Sequence, residues 1–186
     1  DIGVIGYKAY YSRAGAGRSF LVHLLDHATA APVAILEAEW MGQMRTGAAT
    51  GVAARHLSRA DSAVVGLFGS GRHAMTQLEA TCAVRPVREV KVHGRDAGRV
   101  QRFCDEMAAR VDARIRPAAD AADTVRGSDI VIAMTRADAP LFDGRLLEPG
   151  QFISAAGANA LNRRELDLAA VRRADVIVVD SVQVAE

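Results

Sequence analysis

Aromatic side chains are scarce in this sequence: Phe, Trp and Tyr make up 5% of 186 residues, with a single tryptophan. So thin a supply excludes a surface that stacks nucleic-acid bases. The formal charge of +1 at pH 7 likewise denies it the electrostatic footprint of a polyanion binder. Cysteine is almost missing too. Cys82 and Cys104 stand in helix-like stretches, with neither the pattern of a disulfide framework nor metal-ligand spacing. Both are therefore read as buried, reduced thiols, and no metal is expected. No apolar run approaches the ~18 residues of a membrane span, and no basic-then-apolar leader opens the chain. These absences leave a cytoplasmic protein with no nucleic-acid or membrane partner. The first residue is Asp1, not Met, and strand-like sequence begins at once, as expected of a piece of a longer protein.

What is present is ordinary globular composition, 50% hydrophobic and 24% charged, in enough chain for one domain and part of another. Two textures divide it. Residues 1–44 hold the β-like runs "IGVIGYKAYY", "SFLVHLLD" and "PVAILEAEW". These are separated by the glycine-rich "SRAGAGR" and the turn-like "HATAA". An antiparallel meander is expected, the remainder of a larger sheet, with the glycines at 15–17 as a flexible hairpin loop. Residues 45–186 alternate strand and helix. Strands are expected at "AVVGLF", "EVKVHG", "DIVIAMT", "GQFISAAG" and "ADVIVVDS", and helices at "TGAATGVAARHLS", "AMTQLEATCAV", "AGRVQRFCDEMAARV", "ADAADTVRGS" and "RRELDLAAVRR". Gly127 would end the fourth helix, and Pro149-Gly150 would turn the chain into the next strand. The fold class is α/β: a Rossmann-type, doubly wound parallel sheet preceded by part of a second, α+β domain.

The segment "GSGRHA" fits G-x-G-x-x-A between a strand and a helix. Gly69 permits the tight turn, Gly71 lets the backbone approach a pyrophosphate, and Ala74 is small enough for helix and strand to pack. Gly69, Ser70, Gly71, Arg72, His73 and Ala74 are thus candidate cofactor contacts, with the helix N-terminus offering N–H groups to the phosphates. His73 lies on the phosphate edge and has no catalytic part. At the end of the next strand Arg95 and Asp96 follow Gly94. An arginine there accommodates the 2′-phosphate of NADP, and an acid binds the ribose hydroxyl of NAD. Arg95 comes first and favours NADP, while Asp96 can equally be the N-cap of the following helix. Thr135, in "MTRAD" at a strand's C-terminal edge, is placed on the nicotinamide-ribose side. "RRELD" at 163–167 is read as a solvated helix start.

With the loop placed, "MRTGAATGVAARHLS", "VGLFGSGRHAMTQLEA", "SAAGANALNRRELD" and "ADVIVVDS" together resemble successive blocks of the ornithine cyclodeaminase/mu-crystallin family. The resemblance implies an NAD(P)-dependent oxidoreductase acting at the α-carbon of a small amino or imino acid. It also implies that residues 1–44 belong to a dimerisation and substrate domain whose start, like the C-terminal closing segment, is absent here. A homodimer is expected of the full-length protein. On the same resemblance Arg45 grips the substrate carboxylate, a task for which a planar guanidinium is suited. Read from its position alone, a helix-start arginine would meet the positive end of the helix dipole, a conflict that an anion would resolve. Lys8 matches the family's active-site lysine, able to polarise an imine or shuttle a proton. The catalytic aspartate of cyclodeaminases is Asn159 here, and a carboxamide does not titrate. That departure favours simple redox, an imino-acid reductase or alanine-dehydrogenase-like activity, over ammonia-eliminating cyclisation. A non-catalytic NADP-dependent binding protein is the remaining alternative.

Overall fold

The computed structural model describes residues 2–13 and 17–181. It divides into two compact units, Asp1–Thr46 and Gly47–Glu186, with the division falling inside a helix.

The first unit contains the expected meander, strands β1 (Val4–Arg13), β2 (Gly17–Asp26) and β3 (Pro32–Glu37) in the order β1-β2-β3. The tip of the first hairpin, with most of the glycine cluster expected to be a flexible loop, lies outside the described residues. The second turn is held by Asp26, whose carboxylate accepts the backbone N–H groups of Ala28 and Thr29 and the Thr29 hydroxyl. Strand alternation sets Lys8 opposite Val22 and Tyr10 opposite Phe20 on one face, and Tyr7 opposite His23 on the other. β3 stops at Glu37, short of the expected Trp40, and Glu39 already begins α1 (Glu39–Leu57). The reason is local: the Glu37 carboxylate accepts the Glu39 N–H at 2.7 Å, satisfying a donor that a helix start leaves open.

The second unit is built on five parallel strands in the order β6-β5-β4-β7-β8. They are β4 (Val64–Phe68), β5 (Glu89–His93), β6 (Arg114–Pro117), β7 (Ile130–Ala133) and β8 (Phe152–Ala155). The interleaved helices are α2 (Arg72–Cys82), α3 (Ala97–Ala108), α4 (Ala121–Val125) and α5 (Leu168–Arg172). Each sheet face has its own core. Val65, Leu67, Val90, Val92, Ile130 and Ile132 meet α2 and α3 through Ala74, Leu78, Val100, Phe103 and Met107. Phe68 and Val131 meet Val125, Phe142, Leu147 and Ala170 on the other side. Glycines set the closest approaches. A Cβ on Gly66 would lie 1.9 Å from the Thr124 carbonyl oxygen, and one on Gly47 2.4 Å from that of Thr76. The "TGAATG" spacing is thus explained by packing of α1 against α2, with Gly51 likewise 3.0 Å from Ala80.

Three expectations are corrected. β6 was not foreseen, because "RIRP" lies on the sheet edge and carries little apolar signal. The segment "ADVIVVDS" is not a strand. Val176, Ile177, Val178 and Val179 are exposed and pair with nothing in the sheet, and an apolar run becomes a strand only when a neighbour completes its ladder. The last helix is only Leu168–Arg172, capped by the Asp167 carboxylate on the Ala170 N–H at 2.7 Å, so residues 163–167 precede it.

Candidate active site

The candidate residues fall into two sets, one in each unit. In the larger unit, β4 leads into the glycine loop, and the loop into α2. Gly69 has φ +113°, a conformation open to glycine. Its N–H donates to the His93 carbonyl at 2.9 Å, and a Cβ there would lie 2.4 Å from the Met134 carbonyl oxygen. Gly71 is the N-cap of α2, with no side-chain cap and no acid in the first turn. A Cβ on Gly71 would meet no atom of the described residues within 4 Å. Ala74 is fully buried. The strand exit therefore leads through a side-chain-free N-cap into the start of α2, where a ligand can approach the backbone closely, which is the form of an anion cradle. Ser70 belongs to the same loop, and its Oγ lies 3.7 Å from where a Gly94 Cβ would be. The end of β5 thus adjoins the loop. Arg95, next along, is exposed, while Asp96 accepts the Arg99 N–H at 2.9 Å as N-cap of α3. Arg72 and His73, the first residues of α2, are both exposed.

On the other side of β4, the exits of β7 and β8 converge on a residue whose environment the sequence misjudged. Glu165, expected in a solvated helix start, is 2% exposed. One of its carboxylate oxygens accepts the Thr135 N–H at 2.6 Å and the Thr135 hydroxyl at 2.7 Å. The other accepts the Gly157 and Ala158 N–H groups at 2.8 and 3.1 Å. A buried carboxylate is tolerable only with such donors. Thr135 therefore stands at the expected edge with its hydroxyl proton committed to Glu165, and its oxygen accepts the Ala137 N–H at 3.2 Å. Asn159 is exposed, and its side-chain oxygen accepts from Arg163 at 2.9 Å. The pattern that could have flagged Glu165 was a carboxylate placed shortly after the small-residue turn "AAGAN".

In the smaller unit the Lys8 ammonium lies 4.9 Å from the Tyr10 ring centroid and 5.5 Å from that of Phe20. A Cβ on Gly42 of α1 would be 3.1 Å from Lys8 Nζ. Arg45 is three residues further along α1, so it shares that helix face with Gly42. The geometry corrects one argument about Arg45: it lies in the second turn of α1, not at its start, where Glu39 stands instead. The exposed guanidinium thus escapes the dipole conflict, and it shares its neighbourhood with a second cation. Neither cation has a carboxylate partner among the described residues.

The thiols have no place here. Burial pushes both Cys82 and Cys104 up to about 11, which keeps them protonated and inert. Lys91, buried in β5, donates to the Arg126 carbonyl at 2.6 Å, and burial lowers its pKa. Among the described residues no cluster of acids, histidines and cysteines could hold a metal ion, and no helix is long and apolar enough to cross a membrane.

Known proteins resemble this chain over most of its length. The model of the ornithine cyclodeaminase/mu-crystallin family matches residues 6–186. An uncharacterised cyclodeaminase of Sinorhizobium fredii is 37% identical over 148 residues, 80% of this chain and 45% of the relative. The structure of Thermococcus litoralis Δ1-pyrroline-2-carboxylate reductase, in complex with NADH and L-proline, is similar with a TM-score of 0.82. Its identity is 32%, over 91% of this chain and 54% of that one. An archaeal alanine dehydrogenase dimer with bound NAD gives a TM-score of 0.88 at 31% identity, over 99% of this chain and 58% of that one. The chain spans about half the length of the curated relatives it matches.

Proposed function

The chain belongs to the ornithine cyclodeaminase/mu-crystallin family, and on that premise we propose that the protein is an NAD(P)-dependent oxidoreductase that reduces a cyclic or linear α-imino acid. When bound, the nicotinamide would supply the hydride that the α-carbon receives. The chain's own residues do the rest. The glycine loop and the start of α2, where Gly71 carries no side chain to block a close approach, would take the pyrophosphate. Arg45 would hold the substrate carboxylate through its two-pronged guanidinium. Lys8 would face the imine nitrogen, where an ammonium can give a proton as the carbon is reduced. Asn159 would orient the reacting centre without exchanging protons.

The single observation that carries the proposal is that Lys8 Nζ lies beside Gly42 of α1, three residues before Arg45, with no carboxylate paired to either cation among the described residues. Two like charges on neighbouring elements repel, and the arrangement makes sense around an anionic group. Pyrroline-2-carboxylate reductase and alanine dehydrogenase among the similar structures support a redox reaction at an α-carbon, and Asn159 argues against cyclodeamination. For the cofactor we infer NADPH in preference to NADH. The two solved relatives hold NADH and NAD, but here Arg95 is exposed beside the loop and the neighbouring Asp96 is engaged as a helix cap. A homodimer is proposed as well, supported by apolar side chains such as Tyr7 and Ile35 left exposed on the small sheet.

The test is a screen of the full-length protein for oxidation of NADPH and NADH. The substrates are five- and six-membered cyclic imino acids and pyruvate with ammonia, and ammonia release from ornithine is followed separately. Turnover of an imino acid, faster with NADPH, is expected. Ammonia release from ornithine without imino-acid reduction would make the protein a cyclodeaminase, and cofactor binding without turnover a binding protein.

A further inference from the structure

In an open parallel sheet a ligand lies outside the carboxyl ends of the strands, where the winding reverses. Here the reversal is at β4. The chain passes from β4 to β5 and β6 on one side, and then to β7 and β8 on the other. A dinucleotide held at Gly71 with its adenosine over the β5 exit must extend its nicotinamide over the exits of β7 and β8. The residue that shapes those exits is Glu165. One oxygen holds the Thr135 N–H and hydroxyl, the other the Gly157 and Ala158 N–H groups, so a single buried side chain joins both strand exits.

The joined exits are packed without slack. A Cβ on Gly157 would lie 2.3 Å from the Thr135 carbonyl oxygen and 2.5 Å from Glu165 Oε1. Gly69 in turn meets Met134 so closely that a Cβ would lie 2.4 Å from its carbonyl oxygen. The glycine loop, the β7 exit, Glu165 and the β8 exit thus form one continuous series of close contacts leading towards Asn159. Even the main chain of Glu165 takes part, accepting the Leu141 N–H at 2.9 Å. The four donors to its carboxylate are neutral groups. A buried charge held only by such donors demands all of them, which makes the arrangement stiff.

We propose that Glu165 is a positioning residue for the nicotinamide half of the cofactor. It touches neither cofactor nor substrate and acts through the β7 and β8 exits that it clamps together. The proposal rests on the dinucleotide reading of the glycine loop. It separates two roles within one site: the loop holds the pyrophosphate and adenosine, and the Glu165 clamp sets where the nicotinamide lies.

The experiment compares each reduced dinucleotide with its counterpart lacking the nicotinamide, ADP-ribose for NADH and 2′-phospho-ADP-ribose for NADPH, by calorimetry on the full-length protein. Glu165→Gln places an amide N–H₂ against backbone donors. Its affinity for the truncated ligand should stay within twofold of wild type, while the intact dinucleotide loses tenfold or more. Thr135→Val removes the hydroxyl that donates to Glu165, and with it the acceptor of the Ala137 N–H, at nearly constant shape, so it keeps the question answerable if Glu165→Gln does not fold. It should show the same selectivity, with a loss of about threefold. Equal losses for intact and truncated ligands, or no loss for either, would overturn the proposal by showing that the clamp only stabilises the fold. Wild-type protein that binds neither kind of ligand would overturn the dinucleotide reading itself, and this proposal with it.

Discussion

The two units solve the problem of apolar surface in opposite ways. In the larger, Val65, Leu67, Val90, Val92, Ile130 and Ile132 are fully buried, because helices alternate with strands and cover both faces of the sheet. In the smaller, Ile5, Tyr7 and Ile35 are 46, 53 and 63% exposed. A three-stranded meander has two faces and too few elements of its own to cover them. The larger unit is therefore expected to carry the stability and the cofactor. The smaller is expected to contribute the cations Lys8 and Arg45, on a scaffold that tolerates change.

The largest effect should come from crowding the larger unit. Gly66→Ala would force a Cβ to within 1.9 Å of the Thr124 carbonyl oxygen and 3.0 Å of the Ser128 hydroxyl. Backbone must move, at roughly 3 kcal/mol or more. The matching change in the smaller unit, Gly6→Ala, meets the flexible end of Leu24 at 3.1 Å and the His23 carbonyl oxygen at an ordinary 3.6 Å, and should cost less than about 1 kcal/mol. Thermal melts of both variants test the contrast, and comparable losses would erase it.

Next is Gly71→Val. Its backbone, at φ −102° and ψ 174°, accepts a branched residue, and no atom of the described residues stands in the way. The ligand-free melt should be unchanged, while dinucleotide affinity falls by on the order of a hundredfold, or about 2.7 kcal/mol. Undiminished affinity by calorimetry would sink the phosphate-cradle reading.

Arg45→Lys keeps the charge on the face of α1 and loses the fork. It should leave cofactor affinity untouched and lower kcat/KM for the best imino acid by about ten- to a hundredfold, the worth of a charge-assisted hydrogen bond at about 1.5–3 kcal/mol. Wild-type efficiency in this variant would make Arg45 structural.

The smallest effect concerns acid. The Asp123 carboxyl is drawn down to about 2, chiefly by hydrogen bonds from the Arg116 guanidinium at 2.8 and 3.2 Å and then by the Ala119 N–H. A carboxyl whose folded pKa lies below the unfolded value of about 4 contributes stability that is complete above pH ~4. That contribution is lost as pH falls through the folded value. Asp123→Asn should therefore flatten the decline in melting temperature between about pH 4 and 2. The pair is partly open to water, so the change should be slight. An acid profile identical to wild type would show that the pair contributes nothing to stability.

Some of this architecture was legible because its signals are local. Strand-like "AVVGLF", the two glycines and the helix after them lie next to one another in the chain, and each is required by the turn they make together. The Asp96 cap depends on a partner three residues away. Glu165 was not legible for the opposite reason. Its donors come from Thr135, 30 residues back, and from Gly157 and Ala158 on another strand exit, so its charged side chain looked like solvated surface. The "VIVV" run misled in the other direction. Its apolar pattern was correct for a strand, but strand character there depends on a ladder partner that the local sequence does not specify.

The family resemblance picked out the candidate cations Lys8 and Arg45, while apolar periodicity and turn chemistry were enough to establish an antiparallel meander followed by a parallel α/β sheet and the position of the phosphate-type loop. Those features follow from interactions among near neighbours, whose geometry the backbone limits to a few choices. Folding in three dimensions alone decided that Lys8 lies over Gly42 on the α1 face that carries Arg45, that Gly47 and Gly51 serve packing against α2, and that Glu165 ties two strand exits together. Each joins residues far apart in the chain, and whether a charge there is solvated or buried depends on what the rest of the fold brings beside it.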